Sequence, residues 1–136
     1  MKLTRNRTAA TAAAAILSLA GLTFAFAPAA SAASGGGCSE KGSAGPAETV
    51  YSCISSPAYA EVVGDAYVYM SSVPAGCTTI VEVYDVDSGK LVASRTVPCA
   101  TSQHVIAPTA IGESVYRTLV IVDGNVGPWS PFETLP

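Results

Sequence analysis

Four cysteines set the strongest limit on how this 136-residue chain can fold. The chain has a single histidine and no C-x-x-C pair, so a zinc site is the weaker interpretation. If the chain is exported, two disulfides are the expected use of four cysteines. Each would add roughly 2–4 kcal/mol to a small domain whose hydrophobic core alone is marginal. The cysteines are Cys38, Cys53, Cys77 and Cys99.

The N-terminal residues have the order of a secretory signal peptide. Three basic residues within the first seven positions precede an apolar, Ala-rich stretch over residues 9–27, and Ala30-Ser31-Ala32 supplies small residues for cleavage. We expect residues 1–32 to be removed, so that the mature protein begins at Ala33 and is secreted. A retained membrane anchor is the alternative, because 19 apolar residues can span a bilayer. The polar interruptions of the stretch and the adjacent cleavage site favour removal.

Cleavage makes the chain more acidic. Three of its seven basic residues and none of its ten acidic residues lie within the first 32 positions. The 104-residue mature chain therefore has four basic and ten acidic residues, a formal net charge of −6. This charge disfavours nucleic acid and anionic lipid as partners. We expect no nucleic-acid partner, and no membrane association after signal cleavage.

The mature sequence predicts an all-β domain. Residues 33–47 are mostly Gly, Ser, Ala and Pro and predict a flexible N-terminal arm, which Cys38 ties to the body. Over residues 48–136, short runs rich in Val, Ile, Thr and Tyr alternate with turn residues, and the 3.6-residue period of a helix is missing. Seven or eight such strands favour an antiparallel β-sandwich. The predicted strands, with a turn at Gly64-Asp65 between the second and third, span residues 49–54, 59–63, 66–73, 78–86, 90–97, 103–107, 115–123 and 129–135.

Residues 78–97 predict a β-hairpin with the three-residue loop Asp87-Ser88-Gly89. Such a loop needs a positive φ at its third position, where this chain has glycine. The predicted register pairs residues whose numbers sum to 176, including Asp85 with Leu91 and Tyr84 with Val92. One face of this hairpin is mainly apolar, and the face that carries Tyr84 is mixed.

The same register predicts the disulfide pairing. It places Cys77 opposite Cys99, at a separation that a disulfide can bridge after a small adjustment. Cys38 is then left to bond Cys53. A two-residue loop would shift the register by one residue and remove the support for this pairing.

The C-terminal part resembles a known family. Tyr116 opens an alternating strand, Asp123-Gly124-Asn125 is a turn sequence, and Gly127-Pro128-Trp129-Ser130 begins a further strand. This order resembles the last two strands of a fibronectin type III domain, although most members of that family lack disulfides. The resemblance implies an immunoglobulin-like sandwich in which Tyr116 and Trp129 are structural residues. It implies no activity, since folds of this kind host many functions.

No group of residues in the sequence has the pattern of a catalytic site. The cysteines are expected to be cross-linked, no G-x-S-x-G sequence occurs, and the single imidazole is His104, which we expect to be exposed or at a sheet edge. Asp85 and Asp87 flank a turn, where Asp has a common structural use, so catalysis or calcium binding is their weaker interpretation. We therefore expect a protein that is not an enzyme and has no metal or cofactor.

Three tyrosines are the candidate binding residues. Tyr67 and Tyr69 share one face of a predicted strand, and Val68 and Met70 share the other. We predict that the two tyrosines are more exposed than Val68 and Met70. With Tyr84 of the neighbouring hairpin they could stack on sugar rings or anchor a protein partner, although tyrosine also simply suits exposed strands.

Residues 119–122 are apolar on both faces of their predicted strand, so something is expected to cover the outer face. The N-terminal arm and a homodimer are the two candidates. The leading functional hypothesis is a small secreted bacterial β-sandwich protein that acts as an extracellular binding or interaction module. Its partner would be an unknown extracellular protein or polysaccharide. The alternative is a secreted proteinaceous inhibitor of a hydrolase; a carrier of an apolar small molecule and an enzyme are weaker hypotheses.

Overall fold

Strands form the regular structure of residues 34–136, which are the residues that the computed structural model describes. The predicted signal peptide, its cleavage site and Ala33 lie outside the described residues. No helix in the described part is long and apolar enough to cross a membrane. The strands are β1 (Ser34–Gly35), β2 (Gly37–Cys38), β3 (Gly42–Ala44), β4 (Ala47–Ser55), β5 (Glu61–Tyr69), β6 (Thr78–Asp85), β7 (Lys90–Pro98), β8 (Ser102–Ile106), β9 (Ala110–Ile111), β10 (Val115–Val122), β11 (Asn125–Trp129) and β12 (Glu133–Thr134).

The strands form two antiparallel sheets packed face to face, which confirms the predicted all-β sandwich. The front sheet has the order β1-β12-β10-β6-β7, and β11 also pairs with β10. The back sheet has the order β2-β4-β5-β8, with β3 on β4 and β9 on β5. The chain changes sheet four times, between β1 and β2, between β5 and β6, between β7 and β8, and between β9 and β10. Seven strands have five residues or more, which matches the predicted seven or eight.

Alternation along the strands fills the core. Because successive side chains of a strand point to opposite faces, every second residue of β4, β5, β6 and β10 enters the space between the sheets. Burying one such Val or Ile side chain contributes about 1.5–3 kcal/mol. The fully buried aliphatic side chains are Val50, Ile54, Val62, Val68, Val81, Val83, Val120 and Val122.

The predicted turn at Gly64-Asp65 was wrong, because β5 runs unbroken from Glu61 to Tyr69. Gly64 occupies an inward position of this strand, between buried Val62 and Ala66. A Cβ atom on Gly64 would lie 2.4 Å from both Thr118 Oγ1 and Val83 Cγ2. The glycine therefore lets the two sheets approach closely, which is a role of glycine inside strands.

The predicted hairpin register holds from Thr78 to Val83, the part of β6 away from the loop, and fails next to the loop. Two predicted pairs were wrong: Tyr84 faces Leu91 rather than Val92, and Asp85 faces Lys90. A β-bulge just before Tyr84 produces this one-residue shift. The tyrosine stays on the outer face of the front sheet.

The carboxylate of Asp85 explains the shift. Asp85 Oδ1 accepts hydrogen bonds from the backbone N–H groups of Asp87 (3.0 Å) and Ser88 (3.2 Å). These bonds close a four-residue loop over residues 86–89, one residue longer than predicted. Gly89 is still its last residue and has the expected positive φ, 67°.

Both predicted disulfides are confirmed. Cys77 and Cys99 bond at a Cα separation of 5.4 Å, and Cys38 bonds Cys53. The bulge lies near the loop end of the hairpin, and the cysteines lie at the opposite end, so the bulge does not change the pairing of Cys77 with Cys99. By loop-closure entropy, a cross-link over a loop of this size contributes roughly 3 kcal/mol. The two bonds indicate an oxidising, extracellular type of environment.

The segment expected to form an N-terminal arm is paired with the sheets from residue 34 onward. Its strand β1 extends the front sheet at β12, whereas β2 and β3 both pair with β4 of the back sheet. Gly42 of β3 also lies against β11, because a Cβ there would be 2.8 Å from Pro128 Cγ. Cys38 ties this segment to β4 as predicted.

The last predicted strand, residues 129–135, is divided in two. β11 ends at Trp129 and β12 begins at Glu133. Pro131 lies between them and lacks the N–H group that a continuous ladder requires. The irregular segment in between carries Phe132 to the outer face of the front sheet.

Candidate functional site

The three predicted binding tyrosines lie on two different surfaces. Tyr67 and Tyr69 are on the outer face of the back sheet, and Tyr84 is on the outer face of the front sheet. The exposure prediction is confirmed, since Tyr69 is 42% exposed and Tyr67 half-buried, whereas Val68 and Met70 are buried. The grouping with Tyr84 was wrong, because the chain changes sheet between β5 and β6.

On the front sheet, Tyr84 belongs to a set of three aromatic residues and one arginine that we call the front aromatic surface: Tyr84, Arg117, Trp129 and Phe132. The rings of Tyr84 and Trp129 meet edge to face at a centroid distance of 5.6 Å and an interplanar angle of 64°. Because β6 and β11 flank β10, these rings meet above β10. Leu119 of β10 is 6% exposed although it faces outward. Trp129 is the partner of Leu119 across the ladder, so part of the cover expected for this face belongs to the domain itself.

Arg117 lies at the centre of this surface. Its guanidinium carbon is 4.4 Å from the ring centroid of Phe132 and 5.3 Å from that of Trp129, both within cation–π range. Its Nε donates a hydrogen bond of 3.0 Å to the carbonyl oxygen of Ser130. Among residues 34–136 no carboxylate lies within 4.0 Å of it. The guanidinium is therefore held in place while its terminal N–H groups have no ion-pair partner in the described part.

Ser130 fixes the segment that carries both rings. Its buried hydroxyl accepts a hydrogen bond from Thr118 N (2.8 Å) and donates one to the carbonyl oxygen of Pro131 (2.8 Å). Its backbone N–H donates to the carbonyl oxygen of Thr118. These bonds bind the chain between Trp129 and Phe132 to β10. As a result both rings lie beside Arg117, although only one of them belongs to a strand.

An open depression of ≈ 260 Å³ adjoins the front aromatic surface. Its lining consists of the four residues of that surface and of Asp85, Val86 and Gly89 at the hairpin loop. Trp129 is 40% and Phe132 49% exposed, so the ring surfaces are open to a ligand. The lining is mainly apolar, as is common in ligand sites.

Two hydrogen-bonded polar groups lie next to the depression. The hydroxyl of Tyr84 donates a 2.6 Å hydrogen bond to Glu82, which raises the pKa of Tyr84, with smaller contributions from burial and from the charge of Glu82. Ser114 donates a hydrogen bond of 2.7 Å to Asp85, and this bond, followed by those from Ser88, lowers the pKa of Asp85. Asp85 therefore has the structural role in the turn that its position predicts.

The outer face of the back sheet has a different character. The ring of His104 stacks on that of Tyr67 at 4.2 Å with an interplanar angle of 2°, and its Nε2 lies 2.6 Å from Asp65 Oδ2. β8, which carries His104, is the edge strand of its sheet, and the side chain is exposed as predicted. The pair with Asp65 was missed because Asp65 was assigned to a turn. His104 therefore has partners within the protein on its ring face and at Nε2.

The described residues contain no group of three or more His, Cys, Asp or Glu side chains that could hold a metal ion. Three residues of the front aromatic surface, Arg117, Trp129 and Phe132, were not among the predicted binding residues. A usable signal was the Ser130-Pro131 pair between two aromatic residues, since proline interrupts a strand and can bring its neighbours to one side. Trp129, expected as a structural residue, is partly exposed on this surface.

No protein-family model matches the chain, and no curated protein of similar sequence was found. Its function is therefore inferred from the geometry and chemistry of its own surfaces.

Proposed function

We propose that this chain is a small secreted bacterial protein that acts as an extracellular binding module, and that its ligand binds at the front aromatic surface. The observation that carries the proposal is the position of Arg117, held between Trp129 and Phe132 and without a carboxylate partner among the described residues. Trp, Tyr and Arg are the residues that most often dominate binding energy at interfaces.

The site is organised before a ligand arrives. Tyr84 and Arg117 face each other on paired central strands of the front sheet, and Ser130 anchors the two further rings. A ligand would therefore immobilise few side chains on binding, which lowers the entropic cost of association. The exposed ring area would leave water at the same time, and this favours binding.

The back surface is the weaker candidate. The ring of Tyr67 already stacks on that of His104, and Asp65 is hydrogen-bonded to His104 Nε2. The imidazole of this surface therefore has partners within the protein. A ligand would have to replace these contacts rather than complete them. Tyr69 is the most exposed residue of this group, and it serves as the control position below.

Secretion and the immunoglobulin-like assignment belong to the same proposal. The signal-like N-terminus and the two disulfides support secretion. The sequence order around Tyr116 and Trp129 and the repeated changes of sheet along the chain support an immunoglobulin-like sandwich of the fibronectin type III kind. A homodimer stays a prediction, which the mass of the purified protein in solution would test.

Affinity capture tests the proposal. The mature protein, residues 33–136, is immobilised and exposed to culture fluid and cell-wall material of the producing organism, together with the variants Trp129→Ala and Tyr69→Ala. We expect a component that the parent protein and Tyr69→Ala retain and that Trp129→Ala retains about tenfold less or not at all. Unfolding curves confirm that both variants fold. Equal retention by all three proteins would refute the front surface as the binding site, and recovery of a single hydrolase would identify the module as an inhibitor.

A further inference from the structure

The size of the depression limits what can occupy it. At ≈ 260 Å³ it is smaller than the 300–1,000 Å³ typical of sites that enclose a whole small molecule. It is also open to solvent on the side of Trp129 and Phe132. These dimensions suit one ring of a longer ligand whose remaining units extend across the exposed face.

The polar groups of the site include both donors and acceptors. Arg117 presents terminal N–H donors, which have no ion-pair partner among residues 34–136. Its neighbour across the ladder, Tyr84, uses its hydroxyl hydrogen on Glu82, so the hydroxyl oxygen and the carboxylate remain acceptors. A ligand that matches this set must donate and accept hydrogen bonds at its rim and present an apolar face to the rings. A sugar ring has both properties.

The charges of the site favour an uncharged ligand. On this outer face β10 and β6 place the opposite charges of Arg117 and Glu82. The carboxylate of Asp85 also lines the depression, but its Oδ1 already accepts hydrogen bonds from Ser114 and from the backbone of the hairpin loop. The mature chain as a whole has a formal charge of −6, which repels acidic polymers. A proline-rich peptide is neutral and apolar too, but its proline residues offer carbonyl acceptors and no backbone donors. It would leave the acceptors of Tyr84 and Glu82 unpaired.

We infer that the front aromatic surface binds a neutral polysaccharide, with one sugar ring in the depression. The ring packs its C–H face on Trp129 and Phe132, Arg117 donates hydrogen bonds to its hydroxyl oxygens, and its hydroxyl groups donate to Tyr84 and Glu82. This inference rests on the proposed function, because it names the ligand class of the same surface.

The single tryptophan of the chain makes the test direct, since Trp129 alone supplies the tryptophan fluorescence. The mature protein is titrated with three neutral oligosaccharides, namely cellohexaose, mannohexaose and hexa-N-acetylchitohexaose. Hexagalacturonate is the anionic comparison and hexaproline the peptide comparison. We expect a saturable change in Trp129 emission with at least one neutral oligosaccharide and with neither comparison ligand.

Variants assign the effect to the site. Arg117→Lys keeps the charge but loses the planar fork of donors, and we expect it to weaken saccharide binding about tenfold. Phe132→Ala, at an exposed position, should weaken it similarly, and Tyr69→Ala on the back sheet should bind like the parent protein. Thermal unfolding checks that each variant is folded.

Three results would overturn the inference: a response to hexagalacturonate or hexaproline alone, no response to any of the five compounds, or saccharide binding that both Arg117→Lys and Phe132→Ala leave unchanged. The affinity capture separates this failure from failure of the proposed function. If a component is still retained in a Trp129-dependent way, the module binds at this surface and only the ligand class is wrong. If capture also fails, both proposals fall.

Discussion

Gly64 lies directly against Thr118 across the sandwich, and a Cβ atom at Gly64 would be 2.4 Å from Thr118 Oγ1. Val83 Cγ2 would be equally close, so a methyl group has no free space on this inward position of β5. The contact joins the back sheet to the two central strands of the front sheet. The spacing of the sheets at this point therefore depends on the absence of one side chain.

Substituting Gly64→Ala should separate the sheets locally. Overpacking a dense core by one methyl group costs about 1–3 kcal/mol, and both neighbours here belong to rigid strands. We expect a lower midpoint of urea unfolding with the slope unchanged. Ser94→Ala, on the exposed face of β7, is the control and should change the midpoint little. A Gly64→Ala midpoint equal to that of the control would show that the sheets can move apart without cost.

The buried hydroxyl of Thr118 should lower the stability of the folded protein. Thr118 is fully buried, and its Oγ1 has no hydrogen-bond partner among the described residues. Replacing the hydroxyl with a methyl group of similar size removes an unsatisfied polar atom, so Thr118→Val should raise the free energy of unfolding by about 1 kcal/mol.

Thr79→Val is the matched control for this substitution. Thr79 is equally buried, but its hydroxyl donates a 2.9 Å hydrogen bond to Gln103 Oε1. The same change should therefore destabilise the protein by about 1 kcal/mol at position 79. Urea unfolding of both variants measures the difference. Destabilisation of similar size at both positions would mean that the Thr118 hydroxyl is satisfied in solution.

The fold could be predicted from the sequence because strands and hairpins are encoded by short local patterns of residues. Alternating residues such as Val81 and Val83 predicted the strands and their inward faces, and the register placed Cys77 opposite Cys99. Two errors arose where packing overrides a local signal. Gly64-Asp65 is a residue pair typical of turns, but the glycine is needed inside β5 because Thr118 of a distant strand packs against it. The strands within residues 34–44 pair with partners that are distant in the sequence, so local composition could not predict them.

The front aromatic surface could be predicted only in part. Tyr84 was recognised because its position on the hairpin face follows from alternation. Its neighbours Arg117 and Trp129 join it through the pairing of β10 with β6 and β11, and a single sequence does not state which strands pair. Phe132 comes from an irregular segment that hydrogen bonds of Ser130 position, and no periodicity applies there.

Glu133 should make stability depend on pH. The residue is 4% exposed, and burial raises the pKa of its carboxyl above the ordinary value of 4.5. The folded state thus favours the protonated form. Below pH 4.5 both states hold the proton and the group has no effect; as the pH rises through the raised pKa, the folded state loses stability relative to the unfolded state.

Glu133→Gln keeps the shape of the protonated side chain and cannot ionise. We expect the stability advantage of this variant over the parent protein to be smallest below pH 4.5 and to grow as the pH rises towards neutrality. Chemical unfolding at a series of pH values measures this difference. Glu40→Gln, at an exposed position, is the control and should show no such growth. A difference that stays constant with pH would exclude Glu133 as the source.

The Cys38–Cys53 bond should hold the N-terminal segment on the sandwich. β1 and β2 have two residues each, too few to remain paired through their backbone hydrogen bonds alone. Lys41 follows them at an exposed position before β3 and offers a trypsin site. In the double variant Cys38→Ala/Cys53→Ala the segment should detach transiently, so that trypsin cleaves after Lys41 several times faster than in the parent protein.

The matched control is Cys77→Ala/Cys99→Ala, which loses the other disulfide, at the ends of β6 and β7. Under conditions where this variant remains folded, trypsin should cleave it after Lys41 at nearly the parental rate. Mass spectrometry of the early digest distinguishes the two variants, and equal acceleration in both would mean that general loss of stability, rather than the local cross-link, controls access to Lys41.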